Sequence, residues 1–262
     1  MNTTSVSVEE LAKRLADAEK NREQIAPLTA GGAFDPATAY AIQLHNANAR
    51  KAAGEPLVGM KVGLTSQVMQ KMLGVDEPDY GHLFEAMRVV DGGTVQTDAL
   101  LQPRAEAEIA IVLKSALRGP NVTIDDVIAA TAYVTASLEI IDSRIKDWKI
   151  TLADTIADNG SSAMFVLGAG RTPVGAHDLA AIAMEMTKNG EPAGSGLGSA
   201  VLGTNPLDAV AWLANTLAEF GTGLEAGAVI LPGALSGAIP VAPGDTVRAE
   251  FGPLGAVSVT FA

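Results

Sequence analysis

The chain has 262 residues, is 48 % hydrophobic, contains no cysteine and carries a formal net charge of −12. That length allows one large domain, or a domain with a smaller lobe, and a core that needs no covalent staples. The absence of cysteine excludes disulfides, thiolate metal sites and cysteine nucleophiles, and 30 acidic against 18 basic residues argue against a nucleic-acid surface.

Charged residues make up only 18 %, so disorder is not expected. No apolar run reaches the roughly 18–20 residues of a membrane helix. The N-terminal segment lacks the charged and apolar regions of a signal peptide, so a soluble, cytoplasmic protein is expected.

Along the chain, helices come first. Ser7, Glu9 and Glu10 have the spacing of a capping box, and Leu11, Leu15 and Ala18 recur on one face behind it. Asp35-Pro36 predicts the start of a second helix, stopping near Gly54. Residues 58–64 read as a short strand carrying Lys61. Thr65 or Ser66 is expected to cap a short helix ending at Gly74, followed by a loop over residues 76–81. From about residue 85 strands take over. Residues 106–113 alternate and then turn apolar, Thr123 caps a short helix, and an apolar segment runs to Ile141. Residues 163–167 read as a buried strand. Asn189-Gly190 predicts a hairpin, Asn205-Pro206 to Gly221 a helix, and the tail reads strand–turn–strand. The order predicts an α+β chain: a mainly helical region over residues 1–80, and a β-rich region over 81–262 that can form one unit with it.

The chemistry concentrates in four places. As a strand, residues 103–112 put Arg104, Glu106 and Glu108 on one face, with the two carboxylates roughly 6–7 Å apart. This is either a solvated face neutralised by Arg104 or half of a cation site. Glu139 sits in an otherwise apolar or small-residue run, where an ionised carboxylate is costly unless paired or bound to metal. It pairs with Arg144 or a lysine, or it joins Glu106 and Glu108 on one hard cation, for which Mg²⁺ or Mn²⁺ suits better than Zn²⁺. Lys61, between glycines, is either an edge-strand charge or a cation aimed into a pocket. From the residues alone, Asp79 and residues 158–162 read as ordinary turns. His45, His82 and His177 show no ligand spacing, and the glycine-rich residues 194–198 open no helix as a nucleotide loop must.

Four segments together carry a resemblance: residues 59–87 with GMKVG and PDYG, 103–113 with PRAEAE, 139–168 with SRIKDW and ADNGS, and 198–217 with the LGTNP turn. In this order, over essentially the whole chain, they resemble the 2-hydroxypenta-2,4-dienoate (2-oxopent-4-enoate) hydratases. With the 4-oxalocrotonate decarboxylases, these form one branch of the fumarylacetoacetate hydrolase superfamily. Gly160 stands where that pattern has alanine.

The resemblance implies a mixed β-roll with a helical N-terminal region. It implies a divalent metal, Mg²⁺ or Mn²⁺, on Glu106, Glu108 and Glu139. It also implies that Lys61 and Asp79 face the substrate, with Asp158, Asn159, Ser161, Leu202 and Gly203 at the pocket edge. The implied reaction, in meta-cleavage degradation of aromatic compounds, is addition of water to 2-hydroxypenta-2,4-dienoate, giving 4-hydroxy-2-oxopentanoate. The metal there stabilises enolate-like charge at C2. Asp79 is the candidate for proton transfer or water activation and Lys61 a fixed cation. A metal and a lysine nearby lead one to expect a depressed Asp79 pKa, and so a base. The rivals are decarboxylation of 2-oxohex-3-enedioate and a non-catalytic partner subunit. Acylpyruvate hydrolysis lacks its His–Glu pair. A homo-oligomer is expected, as is association with the decarboxylase or a downstream aldolase.

Overall fold

In the computed structural model, which describes residues 7–66, 70 and 77–262, helix α1 spans Val8–Asn21. It starts where the Ser7 hydroxyl accepts the Glu10 N–H at 3.2 Å. Helix α2 (Pro36–Ala52) starts the same way, with Asp35 Oδ1 accepting the Thr38 N–H at 2.8 Å and proline in the first turn. Leu11, Leu15, Ala39 and Ile42 turn inward from these helices and join one apolar core with residues of both sheets. Each such large side chain stabilises the fold by about 1.5–3 kcal/mol when fully buried.

The strands are β1 (Leu57–Gly63), β2 (Asp79–Phe84), β3 (Arg88–Val89), β4 (Thr94–Val95), β5 (Arg104–Leu113), β6 (Thr131–Ile141) and β7 (Ser162–Leu167). They continue with β8 (Ala183–Lys188), β9 (Glu191–Leu197), β10 (Val229–Leu231), β11 (Ile239–Pro240), β12 (Thr246–Glu250) and β13 (Ala256–Phe261). Among the described residues, the larger sheet runs β2-β1-β10-β5-β6-β7-β3, with β11 also on β5. The smaller runs β4-β13-β12-β8-β9. Pairing is mixed: β1 lies parallel to β10, and β5 antiparallel to β6. The α+β expectation matches this architecture. No helix among the described residues is long and apolar enough to cross a membrane.

Two expectations meet a different outcome. Asp79, Tyr80 and Gly81 do not form a loop; they open β2, whose six residues are all buried. The ladder that places Asp79 opposite Gly63 overrides the turn preference of Asp and Gly. The three-residue strand β10 was not predicted, although it sits between β1 and β5. Residue 80 falls inside β2, and β1 and β2 share a sheet with β5 and β6. The predicted helix ending at Gly74 lies largely outside the described residues.

Candidate active site

The register of β5 and β6 builds the site. Glu106 lies directly opposite Glu139. Strand alternation carries Glu108 to the same face as Glu106. Each of the three glutamates offers a carboxylate oxygen within 4.8 Å of the others. Glu108 and Glu139 are buried, at 1 % and 0 % exposure, and Glu106 is half-buried. The Gly233 N–H donates to Glu108 Oε2 at 2.7 Å. Neither oxygen of Glu139 has a hydrogen-bond partner among the described residues.

Lys61 and Asp79 come from β1 and β2. The Lys61 Nζ donates to the Gly160 carbonyl at 2.9 Å and lies 3.7 Å from Glu139 Oε2. So Glu139 pairs with a lysine, while Arg144, the other partner considered, is bound to Asp158. Asp79 Oδ2 accepts the Thr155 hydroxyl at 3.3 Å, and among the described residues Oδ1 has no hydrogen-bond partner. Gly63 lets these groups meet: a Cβ there would sit 2.1 Å from Asp79 Oδ1 and 2.8 Å from Lys61 Nζ. Gly160, at φ 59, tolerates a side chain poorly, because a Cβ would press Lys61 Cδ at 3.2 Å.

The electrostatics follow from the burial. Burial, and then Glu139, push Glu106 up to about 7. Burial, then Glu139 and Glu106, hold Glu108 well above the ordinary carboxylate range. Glu139 is also raised by burial, against the pull of Lys61. Burial alone would lower Lys61, but Glu139, Asp79, Glu106 and Glu108 together outweigh it and raise its pKa. Asp79 is raised by burial, which outweighs Lys61 and the Thr155 hydrogen bond. The expected depression of Asp79 is therefore reversed, because desolvation of a fully buried carboxylate exceeds one lysine's attraction.

Lys61, Asp79, Glu106 and Glu108 line one cavity of about 560 Å³, together with Arg104, Trp148, Ile150, Thr155 and Ser161, while Glu139 is fully buried beside them. Trp148 is carried there by a turn in which Asp147 and Trp148 have φ 58 and 55. Such left-handed positions cost roughly 1–3 kcal/mol each and persist where packing enforces them. Ser161 faces the cavity, and its hydroxyl lies 3.4 Å from that of Thr155. Asp158 and Asn159 line a separate cavity of about 400 Å³ beside α1 and α2. Asp158 accepts the Arg144 Nε–H at 2.5 Å and the Arg144 backbone N–H at 2.9 Å, and burial pushes it up to about 6. Asn159 clamps the backbone of His82 through both ends of its amide, at 2.7 and 3.0 Å. Leu202 and Gly203 lie in the turn before the helix Pro206–Glu219, outside the cavity lining, which Ala200 reaches. Sequence reasoning missed Thr155 and Gly233. Nothing local marks them, since their roles rest on contacts far along the chain.

The donor set fits a hard divalent cation. A buried carboxylate with neither oxygen hydrogen-bonded among the described residues is costly, and a cation held by three carboxylates removes that cost. The consequence is measurable. Without metal, the folded chain binds more protons than the unfolded chain between the ordinary 4.5 of Glu106 and its raised value of about 7. Unfolding free energy contributed by the cluster therefore falls as pH rises through that window. Bound metal needs the carboxylates ionised and reverses the trend. The Tm gained on adding saturating Mg²⁺ to EDTA-treated protein should thus be small at pH 5 and larger by roughly 5 °C or more at pH 7.5. Taking the difference cancels His82, which burial lowers to about 4, and Asp158, neither of which lines the cavity of Glu106 and Glu108. An increment equal at both pH values would refute the cluster as the metal's seat.

Comparison with known proteins gives concordant matches. Residues 62–262 match the family model described as fumarylacetoacetate (FAA) hydrolase C-terminal. A 2-hydroxyhexa-2,4-dienoate hydratase of Comamonas testosteroni is 48 % identical over 97 % of each chain. A 2-keto-4-pentenoate hydratase of Burkholderia vietnamiensis is 47 % identical, again over 97 % of each. Among solved structures, the 4-oxalocrotonate decarboxylase from Pseudomonas putida G7, complexed with magnesium and adipate, superposes with a TM-score of 0.94. It is 40 % identical over 97 % of each chain.

Proposed function

The chain belongs to the fumarylacetoacetate hydrolase family, and we propose that it works there as a divalent-metal-dependent hydratase. Its substrate is a short 2-hydroxy-2,4-dienoate such as 2-hydroxypenta-2,4-dienoate, and its product the 4-hydroxy-2-oxo acid. The supporting observation is the convergence of Glu106, Glu108 and Glu139 beside Lys61, with Lys61, Asp79, Glu106 and Glu108 lining one cavity. The higher identity to the hydratases than to the decarboxylase places water addition first.

Glu106, Glu108 and Glu139 would hold Mg²⁺ or Mn²⁺, which supplies Lewis-acid stabilisation of the negative charge developing at the C2 oxygen. The remaining work falls to the chain. Lys61, kept cationic by its carboxylate neighbours, offers a fixed positive charge to the substrate's carboxylate or oxyanion. Asp79 carries a raised pKa and, among the described residues, an unpartnered Oδ1, which suits it to carry the C2 enol proton to C5 and then to move a proton from the water that adds at C4 to C3. Thr155 fixes the orientation of the Asp79 carboxyl through Oδ2. Ser161 stands beside Thr155 at the wall. This reading extends to a cytoplasmic homo-oligomer associating with the decarboxylase or the aldolase that acts next in meta-cleavage degradation.

NMR of the products tests it. Freshly generated 2-hydroxypenta-2,4-dienoate should yield 4-hydroxy-2-oxopentanoate with Mg²⁺ or Mn²⁺ and not with EDTA. Turnover of 2-oxohex-3-enedioate alone, with release of CO₂, would assign decarboxylation instead.

A further inference from the structure

Arg104 is a cation in the cavity whose N–H groups are not used among the described residues. It precedes Glu106 by two residues on β5, so its side chain shares the face of Glu106 and Glu108. All three line the same cavity. Arg50, Arg88, Arg118, Arg144 and Arg248 each meet a carboxylate. Among the described residues, the Arg104 guanidinium has no hydrogen-bond or ion-pair partner, in spite of the nearby Glu106.

Its position is nevertheless fixed. The guanidinium carbon lies 4.5 Å from the centroid of the Trp148 ring. The Trp148 Nε1–H donates to the Gln102 carbonyl at 3.1 Å. The Gln102 amide donates in turn to the carbonyls of Ser143 and Ile145, at 2.8 and 2.5 Å. The strained turn at Asp147 and Trp148 is thereby stitched to the start of β5, and the indole is held against Arg104. Stacking engages the flat face of a guanidinium and leaves its edge of N–H donors free. That edge matches a carboxylate in bidentate geometry.

We propose that Arg104, held by Trp148, seats a carboxylate of the substrate. The inference rests on the hydratase reading for the substrate class. Arg104 stands one strand repeat, roughly 6–7 Å, from Glu106, within reach of a short acid bound beside the glutamates. The carboxylate is either the C1 group or the distal group of an ω-carboxylated homologue.

Calorimetric titration of the Mg²⁺-saturated protein separates these. The probes are 2-oxopentanoate, 2-oxohexanedioate and neutral 2-pentanone. Arg104→Gln should weaken carboxylate binding roughly ten- to hundredfold and leave 2-pentanone unchanged. If both acids weaken alike, the seat holds C1. If only 2-oxohexanedioate weakens, it holds the distal group. Arg104→Lys should recover part of the affinity, because it keeps the charge and loses the fork. Trp148→Phe keeps a ring but loses the Nε1–H anchor, and should weaken the same acid to a smaller extent. Equal acid affinity in wild type and Arg104→Gln, or no affinity of the wild type for either acid, overturns the proposal. Failure of the wild type to hydrate the dienoate would instead sink the hydratase reading and leave this titration readable.

Discussion

Glu139→Gln should abolish divalent-metal binding and hydration while the fold survives. Glu139 is fully buried, faces Glu106 across the β5–β6 ladder, and presents two oxygens with no hydrogen-bond partner. An amide has nearly the same shape but no charge, and one of its ends is a donor. Loss of supporting residues outside a metal's ligand set typically costs 10–100-fold in affinity or activity, so loss of a ligand should exceed about a hundredfold in affinity. Turnover at saturating substrate should fall by about a thousandfold or more, since charge stabilisation is commonly the largest catalytic contribution. The fold should persist, because Leu138 and Ile140 pack on the other face and the backbone ladder fixes the register. Metal-free Glu139→Gln should melt at or above the temperature of the metal-free wild type at pH 7.5, since burial disfavours the charge that has been removed. Calorimetry with Mg²⁺, a kinetic assay and a thermal melt together decide the matter. Near-wild-type turnover in the variant, or in stripped wild-type enzyme, would remove the metal from the mechanism.

The same residues show what the sequence could carry. Ser7, Asp35, Thr123 and Asn205 each cap the helix that follows, because a cap needs only the next three residues. The shared face of Arg104, Glu106 and Glu108 was legible for a similar reason, since strand alternation is local. Glu139 stood out as a charge in an apolar run, yet its position opposite Glu106 is a matter of register between strands some thirty residues apart. Asp79 shows the limit most plainly. Pro78, Asp79 and Gly81 carry a turn preference, and only the pairing with β1 turns that segment into a buried strand. Asp158 and Asn159 belong to the same polar stretch as Ser161, but the left-handed positions at Asn159, Gly160 and Ser161 turn them to opposite sides. No composition rule distinguishes an aspartate clamped by Arg144 from one facing a cavity.

Asp79→Asn and Lys61→Met should each lower turnover by roughly 10²–10⁴-fold with metal still bound, and their pH profiles should differ. At saturating Mg²⁺ the three glutamates stay ionised, so they contribute no titration between pH 5 and 9. Asp79 is then the cavity carboxyl left to titrate, raised by burial and pulled down by Lys61. Removing its carboxyl should erase the acidic limb of kcat/KM. Removing Lys61 takes away the attraction that opposes burial, so the limb should survive and move to higher pH. Lys61 itself should give no limb in this range, because Glu139, Asp79, Glu106 and Glu108 raise its pKa above the ordinary lysine value. Loss of its charge also leaves those carboxylates with less compensation, so metal-free Lys61→Met should be less stable than metal-free wild type at pH 7.5. Profiles of both variants, measured between pH 5 and 9 with added Mg²⁺, separate the proton carrier from the fixed cation. An acidic limb that persists in Asp79→Asn and vanishes in Lys61→Met would exchange the two roles.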